Sequence, residues 1–523
     1  MGLDYYNAAV DLIARNLTAE RAHKTAVIDE SGSHTYAELA ERVDRCANAL
    51  RELGVEPEQR VLLCLHDSID FPACFLGAIK AGIIPIPSNT MWSASDYAFA
   101  LSDSRAKAVI VSEARLQAID MGAQICGWKG QIVVAGTSEG RYPELSRLMN
   151  AAAASCETYP TQSDDACFWL YSSGSTGRPK GAVHVQTSLI KTAELYGQGV
   201  LGISAGDVIF SAAKLFFAYG LGNALTFPFS VGATAVLFAG RPKPEIINSI
   251  LREYRPTLFF AVPTQFSALL ASADLPRRGE HNLRLCGSAG EALPEPVATA
   301  WTKHTGVEII DGMGSTEMLH CFLSNRPGAV RYGTSGLPVP GYRVRLVDEN
   351  GAEVRRGKIG ELQVNGPTTA AYYWNNREKT RTTFLGEWMR TGDKFRQDED
   401  GYLIHCGRSD EMLKVSGVWV SPIEVESALI SHDAVSEAAV IATVDKHGLV
   451  KPKAFVMLNA GFVADDGMRR ELQQFVKARL APYKYPRYIE FVNELPKTAT
   501  GKLQRFLLVR REKERQQQER QEG

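Results

Sequence analysis

Short apolar runs at 61–65, 83–87, 108–112 and 131–135 alternate with amphipathic segments, and this alternation constrains the fold more than any other feature of the chain. Strands that recur with a helix between them run parallel, and a parallel sheet needs helices on its faces. Segment 36–53 shows how such a helix is encoded. Thr35 and Glu38 can form a capping box, Leu39, Val43, Cys46, Ala47 and Leu50 recur on one face, and Gly54 stops it. A second series of runs, at 208–211, 233–238, 257–261, 283–286 and 307–310, predicts a second α/β subdomain. From about residue 330 short strands and turns take over, as in 342–347, Asp348-Glu-Asn-Gly351 and 361–364, predicting a β-rich subdomain. Beyond Gly407-Arg-Ser-Asp410 a small α+β unit is expected, with Ser421-Pro-Ile-Glu424 opening a helix, strands at 438–442 and 453–458, and a helix at 469–480. The fold class is therefore α/β. Residues 1–409 form a large N-terminal domain of two α/β subdomains plus the β-rich one, and 410–523 form a small C-terminal domain. Residues 510–523, rich in Arg, Lys, Gln and Glu, are expected as a frayed helix or disordered tail.

Composition narrows the partners. With 58 Lys+Arg against 59 Asp+Glu in 523 residues, no broad field exists to attract nucleic acid or an anionic membrane, so a small molecule is favoured. Nine scattered cysteines without a Cys-x-x-Cys pair predict reduced thiols and a cytoplasmic location. The N-terminus carries Asp4 and Asp11 and lacks a signal-peptide pattern, and Tyr6 stands where myristoylation requires Ser or Thr. Residues 215–240 hold no charged side chain, long enough to span a bilayer, but Gly220, Gly222, Gly232, Asn223 and Pro228 interrupt them. A buried short helix followed by a strand is expected instead.

Residues 171–181, Tyr-Ser-Ser-Gly-Ser-Thr-Gly-Arg-Pro-Lys-Gly, follow the apolar run Cys167-Phe-Trp-Leu170. Gly174, Gly177 and Gly181 let backbone amides converge on an anion, Ser172, Ser173, Ser175 and Thr176 add hydroxyl donors, and Lys180 adds a compact charge. This composition suits phosphate. A Walker A loop is rejected, because Pro179 precedes Lys180 and Gly181 follows it, whereas that motif needs Gly-Lys-Ser/Thr opening a helix.

Four further motifs stand far along the chain: Asp311-Gly-Met-Gly-Ser-Thr-Glu317, Arg390-Thr-Gly-Asp393, Gly407-Arg-Ser-Asp410 and Pro496-Lys-Thr-Ala-Thr-Gly-Lys502. With 171–181 they resemble, in the same order and over nearly the whole chain, the adenylate-forming superfamily of acyl-CoA synthetases, luciferases and peptide-synthetase adenylation domains. Within it, Ala212-Ala-Lys-Leu-Phe-Phe-Ala-Tyr-Gly-Leu-Gly-Asn223, Ser288-Ala-Gly-Glu-Ala-Leu-Pro294 and Gly314-Ser-Thr-Glu-Met-Leu-His320 are similar to the benzoate-CoA ligase group, and the opening Tyr6-Asn-Ala-Ala is closer to its 4-hydroxybenzoate members.

The resemblance implies an ATP-dependent aromatic acid:CoA ligase that uses ATP, Mg²⁺ and coenzyme A. A carboxylate attacks the α-phosphate and releases pyrophosphate, and the CoA thiolate then displaces AMP from the aroyl adenylate. It implies nucleotide contacts at Ser172, Ser173, Gly174, Ser175, Thr176, Gly177, Lys180, Gly290, Glu291, Asp311, Gly312, Met313, Gly314, Ser315 and Thr316, and at Asp393, Arg408 and Lys502. Lys502, Glu317 and Thr176 are the implied catalytic residues. Glu317 offers a hard oxygen ligand for Mg²⁺, and Lys502 can bridge carboxylate and α-phosphate. Asp410 matches the hinge of a mobile C-terminal domain, and Gly417 the wall of the CoA tunnel. Phe217, Ala218, Tyr219, Phe260, Gly290, Gly314 and His320 match the acyl pocket, where His320 either discriminates ring substituents or caps a backbone carbonyl. Benzoate and 4-hydroxybenzoate lead the expected acids, with aminobenzoates, fluorobenzoates and cyclohexanecarboxylate as alternatives. A free-standing adenylation enzyme that loads a carrier protein is the rival, weakened by the 21 residues after Lys502, too few for a carrier domain. Acetylation of Lys502 would delete its charge, making a lysine acetyltransferase a candidate regulator. A monomer or a homodimer is expected.

Overall fold

The alternating runs form two largely parallel sheets in the computed structural model, which describes residues 5–172, 179–409, 411–415, 418–445, 449–481, 483–497 and 503–522. The first sheet sets Ile84–Pro87, Arg60–Cys64, Ala108–Ser112 and Gln131–Ala135 side by side, all parallel. Tyr36–Glu52 is the expected crossover helix, and its capping box forms: Thr35 Oγ1 accepts from Glu38 N at 3.2 Å while the Glu38 carboxylate accepts from Thr35 N at 2.7 Å. It packs on Asp70–Lys80, whose Gly77 lies so close that a Cβ there would meet Cys46 Cβ at 2.9 Å.

The second sheet has nine strands in the order Leu337–Pro338, Cys321–Ser324, Ile309–Gly314, Leu285–Ala289, Leu258–Ala261, Val208–Ser211, Thr234–Val236, Thr25–Asp29 and Gly32–Thr35. The six from Ile309–Gly314 to Thr25–Asp29 run parallel, with antiparallel strands at both edges. The hairpin 25–35 had no counterpart in the periodicity. Its strand Thr25–Asp29 is apolar at only three positions and finds its partner, Thr234–Val236, far along the chain. The uncharged stretch 215–240 is a buried helix, Ala218–Leu221 and Phe227–Val231 joined by a π-helical turn over Gly222–Thr226, closed by Gly232 at φ 78° before the strand. No helix among the described residues is long and apolar enough to cross a membrane.

The chain divides into two compact units, one of Met1–Leu293, Val297–Val344 and Val364–Arg390, the other of Pro294–Pro296, Arg345–Gln363 and Thr391–Gly523. The domain boundary expected at Asp410 lies outside the described residues. In the second unit Val435–Val444, Val450–Leu458 and Tyr488–Phe491 form a three-stranded sheet, with Pro422–Ile430 and Asp466–Lys477 contributing to its core. The terminal segment is one helix, Arg505–Glu522, rather than a disordered tail. Glu512 gives the reason. Its buried carboxylate accepts from Thr443 Oγ1 at 2.5 Å, Lys453 Nζ at 2.7 Å and Arg515 Nη2 at 2.8 Å, and although burial opposes its charge, these bonds pull its pKa down to about 2.

Candidate active site

In an open α/β sheet, ligands bind where the parallel strands end. Val208–Ser211, Leu258–Ala261, Leu285–Ala289 and Ile309–Gly314 are neighbours, and residues 212–219, 290–291 and 315–317 follow directly from their C-terminal ends. Most of the expected residues of the first unit are therefore delivered to one edge. Gly290 turns away from its strand at φ 98°, with Glu291 next to it. Asp311 is buried with Oδ1 lacking a hydrogen-bond partner, and burial raises its pKa well above the usual carboxylate range, with Ser288 beside it pulling the other way. Gly312 and Gly314 are required by contact: a Cβ would meet Leu323 O at 2.9 Å at the first and the His320 carbonyl carbon and oxygen at 2.7 Å at the second. Met313 pairs with Leu323 between them.

Ser172 and Lys180 frame the glycine-rich loop as register partners of the antiparallel strands Ala166–Ser172 and Lys180–Val185. A hairpin thus carries the loop, not the strand-to-helix turn of a Walker A motif. Ser173, Gly174, Ser175, Thr176 and Gly177 lie outside the described residues, as do Asp410, Gly417 and Lys502.

Glu317 sits in a single 3₁₀ turn, Thr316–Met318, capped by Ser315 Oγ, which accepts from Met318 N at 3.2 Å. Its Oε1 accepts from Tyr373 Oη at 2.8 Å and from Ser172 Oγ at 3.2 Å. The backbone of the turn is held as firmly: His184 Nε2 donates to Thr316 O at 2.8 Å, Ala370 N to Glu317 O at 2.7 Å and Thr368 Oγ1 to Met318 O at 2.7 Å. Burial lowers the His184 pKa to about 4, so the ring is a neutral donor. Lys180 Nζ lies 4.8 Å over the Tyr373 ring centroid. Among the described residues no group of three or more His, Cys, Asp and Glu is gathered, and Glu317 stands as the sole carboxylate of this cluster. A single carboxylate with an oxygen left over suits Mg²⁺, which keeps its waters and takes substrate phosphates as ligands, and does not suit zinc.

Directly after this turn Leu319 adopts φ 66°, a region that leucine avoids, although it is only 2% exposed. The reversal sends Glu317 and His320 to different partners. His320 Nε2 is 3.3 Å from Tyr219 O and 3.2 Å from Asn223 Oδ1. The carbonyl can only accept, so Nε2 carries the proton, and burial lowers the ring's pKa to about 3. Nδ1 is left as a buried acceptor without a partner. Tyr219, Tyr196 and Phe227 surround the imidazole with centroids 5.2, 5.2 and 4.7 Å away, and Phe260 meets Tyr219 edge-on at 6.2 Å. Ala218 is buried, while Phe217 turns its ring to Phe216 at 4.4 Å.

In the second unit Asp393 and Arg408 face each other across the pair Trp388–Gln397 and Leu403–Arg408. Arg408 Nη1 lies 3.4 Å from both carboxylate oxygens and 3.3 Å from Thr391 O.

Sequence reasoning missed Tyr373, His184, Gly222 and Asn223. For His184 a signal exists, since alternation along 180–185 puts it on the face of Lys180. For Gly222 there is none: its role is space, because a Cβ would stand 2.3 Å from His320 Cδ2.

Comparison with known proteins agrees with this arrangement. The chain is 56% identical over 506 residues to benzoate-CoA ligase of Thauera aromatica, covering 96% of this chain and 95% of the relative. It is 48% identical over 514 residues to 4-hydroxybenzoate-CoA/benzoate-CoA ligase of Rhodopseudomonas palustris, covering 97% and 94%. The solved structure of the anthranilate CoA ligase AuaEII in complex with anthranoyl-AMP superposes with a TM-score of 0.92 at 43% identity, covering 98% of each chain. The AMP-binding enzyme family matches residues 14–374 and the AMP-binding enzyme C-terminal domain matches 424–502, so a chain whose site is built at the end of these strands belongs to the AMP-binding enzyme family.

Proposed function

We propose that the chain is an AMP-forming aromatic acid:CoA ligase that converts benzoate or 4-hydroxybenzoate to the aroyl-CoA in two half-reactions. The observation that carries this assignment is the ring-lined, buried cluster around His320, set three residues from the carboxylate of Glu317. A flat acid held against the first presents its carboxylate toward the second, and the named relatives act on such acids.

In the first half-reaction a carboxylate oxygen bonds to the α-phosphorus as the bond to the bridging oxygen of pyrophosphate breaks. Lys180 and the glycine-rich loop hold the departing phosphates, and Glu317 would hold Mg²⁺, which would supply positive charge to offset what builds on them. Lys502, whose role rests on its motif, supplies the cation between carboxylate and α-phosphate. In the second, the CoA sulfur bonds to the acyl carbon and AMP leaves with the electron pair. Asp393 and Arg408 are assigned to the ribose and phosphate of the nucleotide. Gly417 is assigned to the pantetheine tunnel and Asp410 to a hinge that also marks the domain boundary, an assignment supported by the interval between the two family matches, 374 to 424. The neutral His320 donates inward to Tyr219 O, which leaves the ring slot free of charge that would attract the carboxylate to the wrong end.

The same proposal places the enzyme in the cytoplasm, where its nine unpaired cysteines would stay reduced. Control by a lysine acetyltransferase acting on Lys502, and a monomeric or homodimeric state, complete it. A panel of benzoate, hydroxybenzoates, aminobenzoates, fluorobenzoates and cyclohexanecarboxylate, run in carboxylate-dependent pyrophosphate exchange and in CoA-dependent AMP release, tests it. The highest kcat/KM is expected with benzoate or 4-hydroxybenzoate. A preference for an aliphatic acid, or adenylation without CoA turnover, would overturn it.

A further inference from the structure

The segment 368–374 braces Glu317, yet no motif assigns it a task. The segment is fixed at both ends: Thr368 Oγ1 and Ala370 N bond to the 3₁₀ turn, Tyr373 pairs with Ala182, and Trp374 Nε1 donates to Asp103 O at 2.9 Å while its ring lies tilted against Trp169 at 4.4 Å. Tyr373 itself is 3% exposed, its N–H donates to Thr380 Oγ1 at 3.0 Å and Phe384 packs on its ring at 5.3 Å. The phenol therefore has one orientation. Its edge, through Oη, donates to Glu317 Oε1, and its face carries the Lys180 ammonium.

We propose that Tyr373 is a positioning residue that keeps Lys180 and Glu317 apart and separately aimed, an inference that rests on the assignment of those two residues to the leaving phosphates and to Mg²⁺. Opposite charges that flank one ring attract, and a direct ion pair would neutralise both groups before any ligand arrives. The tyrosine gives each a different, weaker partner. A hydrogen bond at Oε1 orients the carboxylate and leaves Oε2 without a partner among the described residues, while the ring quadrupole holds the cation over the face of the phenol. Ser172 adds a second donor to the same Oε1, so the other oxygen remains the one directed at a metal.

The test uses the full-length enzyme with ATP and Mn²⁺ as the probe, binding being read from the Mn²⁺ EPR signal. Tyr373→Phe keeps the ring and removes the donor. It is expected to weaken Mn²⁺ binding in the presence of ATP by about tenfold, the usual scale for loss of a bond that orients a metal ligand. Thioester formation from synthetic benzoyl-AMP and CoA should stay within about twofold, since neither group acts there. Tyr373→Leu removes the ring as well and should lower the affinity for ATP by a further several-fold. Unchanged Mn²⁺ affinity in Tyr373→Phe, or an equal loss in the benzoyl-AMP reaction, would overturn the inference. Glu317→Gln in the same titration separates the premises: if it too leaves Mn²⁺ binding unchanged, the metal assignment itself fails.

Discussion

The two ends of the site, three residues apart in sequence, treat most of their polar atoms differently, although His184 Nδ1 beside the Glu317 turn is also buried without a partner. Around Glu317 the carbonyls of residues 316, 317 and 318 each accept a hydrogen bond, the first from the strand Lys180–Val185 and the other two from the segment 368–370, and the carboxylate accepts two more. Around His320 the Nδ1 atom, the Tyr219 hydroxyl and the Asn223 Nδ2 are buried without partners. A buried polar atom left unbonded costs about 1–3 kcal/mol, so the second arrangement persists only if something offsets it. Phosphate geometry is common to every acid the enzyme activates and can be fixed in advance. The acid varies, and on the proposed assignment the unfilled bonding capacity around His320 would be the means to recognise a ring substituent.

The largest test lies in Lys502, which belongs to the phosphate end by motif alone. Lys502→Ala should lower benzoate adenylation on the order of 10³-fold, leave the ratio of rates with benzoate and 4-hydroxybenzoate unchanged, and spare thioester formation from pre-made aroyl-AMP. Pyrophosphate exchange and single-turnover thioesterification measure the two steps. Equal loss in both would remove Lys502 from its assigned role.

His320→Ala should act at the other end. If Nδ1 accepts from a ring hydroxyl, kcat/KM for the hydroxylated acid the enzyme uses best falls about tenfold more than that for benzoate, and KM for ATP does not move. An equal fall for both acids would mean that His320 serves only to cap the Tyr219 carbonyl, and the contrast between the ends would then concern packing rather than recognition.

Gly222→Ala sharpens the same point by geometry. Its new Cβ would overlap the imidazole at 2.3 Å, and the π-helical turn that brings Gly222 there cannot yield without disturbing Asn223. Overpacking of this kind costs about 1–3 kcal/mol, measurable as a lower denaturant midpoint, and the selectivity for ring substituents should change with it. Unaltered selectivity at normal stability would show that the imidazole position is not set by Gly222.

What the sequence revealed follows the same division. The crossover helix at 36–52, the parallel strands and the apolar run before the glycine-rich loop were legible because period, caps and glycines act locally. Glu317, Asp393 and Lys180 were legible as members of motifs. The hairpin at 25–35 was not, because its first strand joins the sheet through Thr234–Val236, in the second α/β series. Tyr373 was not, because Tyr372-Tyr373-Trp374 reads as an ordinary aromatic strand until Ala182 is known to lie beside it. For 510–523 the sequence left a frayed helix and a disordered tail open, because nothing local to it shows that Glu512 pairs with Lys453 and so ties the helix down.

The smallest effect is on stability, and it also divides the ends. Both histidines have folded pKa values below that of a free imidazole, about 4 for His184 and about 3 for His320, because burial disfavours the charged ring. Above about pH 6.5 neither state is protonated and their neutrality costs nothing. As pH falls below that value the unfolded chain takes up protons that the folded chain refuses, so stability declines until the folded pKa is reached. Asp67, which burial raises to about 6, works in the opposite direction, adding stability as pH falls through that value. The two signs partly cancel in the intact enzyme, so the difference between variants is the useful quantity. His184→Leu should flatten the decline between pH 6.5 and 4.5 by about 2 kcal/mol in urea denaturation. It should also raise KM for ATP, because Thr316 loses the donor that steadies Glu317. His320→Ala should flatten the same decline with no change in KM for ATP. If both variants altered ATP binding alike, the two ends would share one scaffold, and the division between a fixed phosphate end and an adaptable acid end would fall.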